Sequence, residues 1–210
     1  MSVEQGIDTY RRRFLGNAAK ASAGLALAPG VMLTELGHAK PSDSAVTSDV
    51  RWGMLIDSNK CADGCNDCVT ACNNEHGLTG HDRPETDAQW IRKVKLKDKL
   101  TGHTQTLPLL CQHCEHPPCV DVCPTGASFK REDGIVLVDK QICIGGRYCM
   151  MAGPYKARSL IHESLQDQKP WAPRGKGTVE SCTFCVHRVD EDRTPACVEA
   201  CTAENHNAMV

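Results

Sequence analysis

Fourteen of the 210 residues are cysteine, and they are gathered rather than scattered. Cys61, Cys65, Cys68 and Cys72 follow C-x3-C-x2-C-x3-C, and Cys111, Cys114, Cys119 and Cys123 follow C-x2-C-x4-C-x3-C with Pro124 behind them. Cys182, Cys185, Cys197 and Cys201 follow C-x2-C-x11-C-x3-C, while the third group holds only Cys143 and Cys149. Any fold for this chain must bring these thiols together. Three each of Trp, Tyr and Phe are too few for a generous aromatic core, so cysteine chemistry has to organise the interior. Structural zinc prefers closed sets of two close pairs and leaves the C-x3-C-P ending unexplained. A disulfide framework suits smaller exported chains, and cysteines three to five residues apart are poor bridge partners.

A trio two or three residues apart lets a loop wrap one iron–sulfur cube, and an x3 step then carries a fourth cysteine into a helix facing a second cube. That is the pattern of bacterial two-cluster ferredoxins, C-x2-C-x2-C-x3-C-P. The third group reads CIGGRYCMMAGP over residues 143–154. Cys143 and Cys149 stand at its first and third ligand positions, Gly146 and Gly153 at its second and fourth, and Pro154 closes it as Pro124 closes the second. It is a degenerate fourth motif: sixteen ligand positions with two lost.

The N-terminus reads as an address. Residues 10–16 are YRRRFLG, followed by a moderately apolar stretch from Phe14 to Leu36. Arg11, Arg12, Arg13, Phe14 and Leu15 match the twin-arginine export pattern without the common Ser or Thr before the pair. Gly37-His38-Ala39 places cleavage after Ala39, so residues 1–39 are expected to be a signal peptide and the protein periplasmic. A membrane-spanning reading of this segment is broken by Pro29, Gly30 and Glu35. No later stretch reaches a membrane span, so association with a membrane would run through a partner. A formal net charge of −2 offers no basic field for nucleic acid.

Trp90 to Leu96 alternates as a strand, and Glu132-Asp133-Gly134 is turn chemistry between residues 127–129 and 135–138, predicting a β-hairpin. Ala157 to His162 reads as a further strand. Residues 79–88 and 166–178 read as surface loops. The expected class is α+β: two intertwined ferredoxin-like modules with short hairpins and small helices, a central one at about 105–165 and an outer one from about 50–75 plus 180–210.

C-x-H-C-x-x-P-P-C-x-x-x-C-P-T-G-A from Cys111, C-I-G-x-R-Y-C-M-x-A from Cys143 and C-T-F-C-x-H-R from Cys182 resemble the four-cluster iron–sulfur electron-transfer subunits of bacterial membrane redox complexes, the NrfC/PsrB/DmsB-like family. R-x-P-A-C-V-E-A-C from Arg193 and the twin-arginine segment are most similar to its DsrO type, the periplasmic subunit of the Dsr transmembrane complex of dissimilatory sulfur metabolism. The resemblance implies nested ligation. Cys61, Cys65, Cys68 and Cys201 would hold one [4Fe-4S] cluster, and Cys182, Cys185, Cys197 and Cys72 a second. Cys111, Cys114 and Cys119 would meet Gly153 at the fourth position of a third site, and Cys143, Cys149 and Cys123 would lack the ligand at Gly146 in a fourth. One or two three-thiolate clusters, as [3Fe-4S] or incomplete [4Fe-4S], are expected there, three clusters in all.

The implied function is one-electron transfer without substrate chemistry on this chain. The implied partners are an integral-membrane quinone-reactive subunit, a multihaem cytochrome and other complex subunits. The chief alternative is the electron-transfer subunit of a molybdopterin oxidoreductase of tetrathionate or polysulfide type, and a remote one is an exported zinc- or disulfide-stabilised binding protein. His113, His116, Arg147 and His187 lie beside ligand positions and are expected on the solvated surface. Relatives of this kind continue through a strand and an extension beyond the position of Val210, so the sequence reads as shortened at that end.

Overall fold

A computed structural model describes residues 46–210 apart from Asp167 and Asn205, so the twin-arginine segment and its cleavage point lie outside the described residues. Among the described residues, five short helices and three two-stranded antiparallel sheets make up the mixed α+β architecture. In chain order these are α1 (Asp67–His76), β1 (Arg92–Lys97), β2 (Thr104–Leu109), α2 (Pro118–Asp121), β3 (Ser128–Lys130), β4 (Val136–Val138), α3 (Tyr148–Ala152), β5 (Ser159–Leu160), β6 (Val179–Glu180), α4 (Val186–Val189) and α5 (Ala196–Ala203). A 3-10 turn, Ser58–Lys60, precedes them.

Each helix is attached to a cysteine group. Cys68 and Cys72 stand four apart on α1, so both project from one face, with His76 one turn further on and all three buried. The helix stops where Gly77 turns left-handed at φ 64° and its N–H reaches Asn73 O. Cys197 and Cys201 repeat the i, i+4 spacing on α5, and α5 packs on α1. Pro118 opens α2, where its missing N–H costs nothing, and α2 packs on α3. Helices of the first and fourth groups therefore meet each other, as do those of the second and third.

The hairpin at residues 128–138 forms as the turn residues predict, with Ser128 opposite Val138 and Lys130 opposite Val136. Gly134 takes φ 88°, and Arg131 N–H closes the turn on Ile135 O at 2.8 Å. Arg131 also forks onto Asp133 and Asp190, tying the hairpin to the end of α4. The strand read at Trp90 to Leu96 is β1, and it pairs with β2 from Arg92↔Leu109 to Lys97↔Thr104. The strand read over 157–162 is regular only at Ser159 and Leu160, opposite Glu180 and Val179.

Residues 166–178 depart from the surface loop read from sequence. Ala172, Arg174 and Thr178 are buried. The reason is electrostatic: Glu180 is wholly enclosed, and Arg174 swings in to pair with it through Nε and Nη2 at 2.9 and 2.7 Å.

The main apolar core contains Trp90, Ile91, Leu78, Leu110, Val198 and Met209 together with Cys68, Cys72, Cys182, Cys197 and Cys201. Thiols thus occupy places that an aromatic-rich protein would fill with rings. A smaller cluster of Ile135, Phe184 and Val189 joins the hairpin to the fourth cysteine group. Residues 208–210 close the layer by hydrogen bonds to Leu55 and Asp57. No helix among the described residues is long and apolar enough to cross a membrane.

Candidate metal centres

All fourteen thiols are free, and the fold sorts them into four sets. The first lines one cavity: Cys61, Cys65 and Cys68 from the loop and start of α1, and Cys201 from the end of α5. Ala208 N–H points at Cys201 Sγ from 3.3 Å. Lys93 reaches the same loop, donating to the carbonyls of Ala62 and Cys65. At its mouth Cys65 Sγ, an Asp67 carboxylate oxygen and a His206 ring nitrogen lie within 4.8 Å of one another.

The second set is Cys182, Cys185 and Cys197 with Cys72 arriving from α1. Burial pushes the Cys72 thiol far up, and the next contributors are Cys182, Cys197 and Cys185, in that order. Phe184 and Cys185 are successive left-handed residues at φ 58° and 48°. A bulky side chain rarely adopts that conformation. Here it curls the loop so that Phe184 N–H faces Cys182 Sγ at 3.4 Å, the backbone concavity that cradles negative groups. His76 Nε2 stands 3.3 Å from Cys185 Sγ.

The third cavity is lined by Cys111, Cys114, Cys119, Gly153 and Arg158, with Cys149 at its border. The fourth is lined by Cys123, Cys143, Cys149 and Gly146. Ser128 N–H and Val179 N–H each approach a thiol of the fourth set, Cys123 and Cys143, at 3.4 Å. Burial raises the Cys123 thiol, but hydrogen bonds from Ser128 and Thr125 outweigh it and hold that thiol at about 7.

Gly146 and Gly153 differ in their surroundings. A Cβ on Gly146 would meet the Tyr148 ring at 3.4 Å, an ordinary contact, whereas one on Gly153 would meet Cys149 O at 3.2 Å. Gly145 beside them is required by the backbone: its φ is 66° and a Cβ would fall 2.0 Å from Gly177 O.

These donors fit iron–sulfur clusters. Burial pushes Cys68 to about 11 and Cys197 to about 12, and drives Cys182 well above an ordinary thiol. Thiolates in such surroundings need a cation to compensate them. Six buried side-chain nitrogens among the described residues have no partner, and three of them belong to residues at the thiols: His76 Nδ1, whose ring meets Cys185, and Arg158 Nε and Nη2 at the third cavity. Backbone N–H groups aimed at sulfur are the donors that tune such centres.

Sequence position alone misjudged two histidines. His113 is buried, because its Nδ1 accepts from Val136 N–H at 2.9 Å and so satisfies a strand donor that water cannot reach. His187 is held at 2.7 Å by Glu75 and stacks on Trp171. His116 and Arg147 are exposed, as expected. Residues the sequence reading passed over are His76, Lys93 and Arg158. The position of His76, one helical turn beyond Cys72, was the available clue.

The chain belongs to the 4Fe-4S dicluster domain family, whose models match residues 55–127 and 102–209. It is 40% identical over 227 residues to the Hdr-like menaquinol oxidoreductase iron-sulfur subunit 1 of Archaeoglobus fulgidus, covering 95% of this chain and 84% of that one. It is 37% identical over 199 residues to the B subunit of tetrathionate reductase from Salmonella typhimurium, covering 93% and 71%. With the B subunit of sulfite dehydrogenase from Allochromatium vinosum it shares 39% identity over 168 residues, covering 71% and 65%. These relatives are iron–sulfur or B subunits of oxidoreductases.

Proposed function

We propose that this chain is the electron-transfer subunit of a membrane-bound respiratory complex, relaying single electrons through a row of iron–sulfur sites between a quinone-reactive membrane subunit and further redox partners. The supporting observation is the order of the thiol sets. Cys68 of the first set is among the groups that raise Cys197 of the second. Cys111 of the third acts likewise on Cys182 of the second, and Cys149 of the fourth on Cys119 of the third. Each set therefore adjoins the next: thiols of the first three pack into one core, and the third and fourth cavities share Cys149. When bound, iron–sulfur clusters supply one-electron redox chemistry; the protein holds the thiolates, aims N–H groups at sulfur and excludes water. Its dicluster family membership and its relatives among oxidoreductase subunits favour the same reading.

Within that class the DsrO type fits the motifs from Cys111, Cys143, Cys182 and Arg193, with export to the periplasm through Arg11 and Arg12. The ligand sets are Cys61, Cys65, Cys68 and Cys201; Cys182, Cys185, Cys197 and Cys72; Cys111, Cys114 and Cys119; and Cys123, Cys143 and Cys149. Ile144 and Tyr148 of the fourth cavity and Tyr155 of the third are exposed and suit contact with a partner. The similarity to the B subunit of tetrathionate reductase keeps the molybdopterin-enzyme reading as the rival. Isolation of the complex from its native membrane through a tag on this chain separates them. Bound c-type haem with a quinone-reactive subunit is the expected result, and molybdopterin in the complex would overturn the DsrO reading.

A further inference from the structure

Arg158 is a buried guanidinium, 7% exposed, that makes no ion pair with any carboxylate among the described residues. Its Nη1 donates to Ser128 Oγ at 2.5 Å, and its Nε and Nη2 have no partner although both are sealed from solvent. A buried cation without an opposite charge is strongly disfavoured. Arg158 lines the cavity of Cys111, Cys114, Cys119 and Gly153, which Cys149 of the fourth set also borders. Ser128, which accepts from it, is itself buried and donates its N–H to Cys123 Sγ of the neighbouring set. A single side chain thus touches one three-cysteine site directly and the other through one serine.

We propose that Arg158 is the counter-cation of the two central sites: Nε and Nη2 donate to sulfur of the cluster held by Cys111, Cys114 and Cys119, Nη1 acts on Cys123 through Ser128, and the fixed charge holds the potentials of both sites up. This rests on the electron-transfer reading. When one electron enters either site the negative charge rises by one while the charge on Arg158 stays fixed, because an arginine keeps its protons at every relevant pH. A guanidinium nearby favours that more negative state. One thiolate fewer and one cation more act in the same direction, so the two central sites stand above the two complete sets in potential.

The test uses the full chain purified anaerobically, with potentiometric titrations followed by EPR in the unaltered protein, Arg158→Gln and Arg158→Lys. Arg158→Gln is expected to move the central signals to lower potential with iron content unchanged and the outer signals in place, and Arg158→Lys to fall between. Pulsed EPR on unaltered protein grown with 15N-guanidinium arginine decides the matter if Arg158→Gln loses its iron: a nitrogen coupling on the central signal is expected, and it should vanish in Arg158→Lys. Central potentials indifferent to Arg158→Gln, or no arginine nitrogen coupling in the unaltered protein, would overturn the proposal while leaving the electron-transfer reading standing. Absence of any central signal would remove the three-thiolate sites themselves, and the proposal with them.

Discussion

Two adjacent glycines show how differently one residue type can be constrained. Gly145 has a left-handed backbone and the Gly177 carbonyl where a side chain would go. Gly145→Ala should therefore cost about 1–3 kcal/mol in backbone strain alone, with the clash added, and appear as a lowered melting temperature. Gly146 has room, so its lack of a ligand is not imposed by packing. Gly146→Cys is expected to add about one iron per chain and to abolish an oxidised [3Fe-4S] signal by completing a cube; unchanged iron and EPR would place the fourth set outside cluster chemistry. The buried Arg174 and Glu180 pair makes a separate prediction. Glu180→Gln leaves a guanidinium uncompensated and should destabilise by about 3–5 kcal/mol, read as a shift of the unfolding midpoint. At this scale the thiols were legible and their neighbours were not. Cysteine spacing is written in the chain, whereas the burial of His113 depends on Val136 of a distant strand needing an acceptor.

Among elements, α1 matters most, because it serves two sets at once: Cys68 toward the first and Cys72 toward the second. Nested ligation then has a non-additive signature. Cys72→Ser and Cys182→Ser should each remove the same cluster, and the double variant should lose no more iron than either single one. Cys72→Ser with Cys61→Ser should lose two clusters' worth. Additive loss in the first pair would separate α1 from the fourth cysteine group. The hairpin at 128–138 was legible because Asp133-Gly134 is local turn chemistry. β2 was not, because Thr104–Leu109 carries Pro108, and its strand conformation comes from pairing with β1. The loop at 166–178 looked solvated because its composition is polar, and only the partner Glu180 explains why Arg174 turns inward.

For the whole molecule, stability and metal content become one quantity. A core built from thiols at the places of aromatic rings should hold together only when its ligands are bound. Removing iron with a chelator under oxidising conditions is expected to abolish the cooperative melting transition; an unchanged transition would assign the fold to its apolar contacts alone. The iron-free chain also has a pH signature. Burial raises thiols such as Cys68, to about 11, and Cys197, to about 12, above the ordinary value of 9.0. Raised acids stabilise the folded form below their unfolded value and lose that contribution as pH rises toward the folded one. Residual structure in the iron-free chain should accordingly fall away between about pH 9 and pH 12, measurable by circular dichroism at fixed temperature across that range.

The claim beneath all of this is that four thiol sets, two of them short of a ligand, hold iron–sulfur clusters in a row. Iron and acid-labile sulfide per chain, measured on anaerobically purified protein with EPR of its oxidised and reduced states, test it most directly. The account predicts about 11 iron atoms or more, with a signal from at least one three-thiolate cluster. About 8 would confine the clusters to the two complete sets, and zinc without labile sulfide would contradict the account outright.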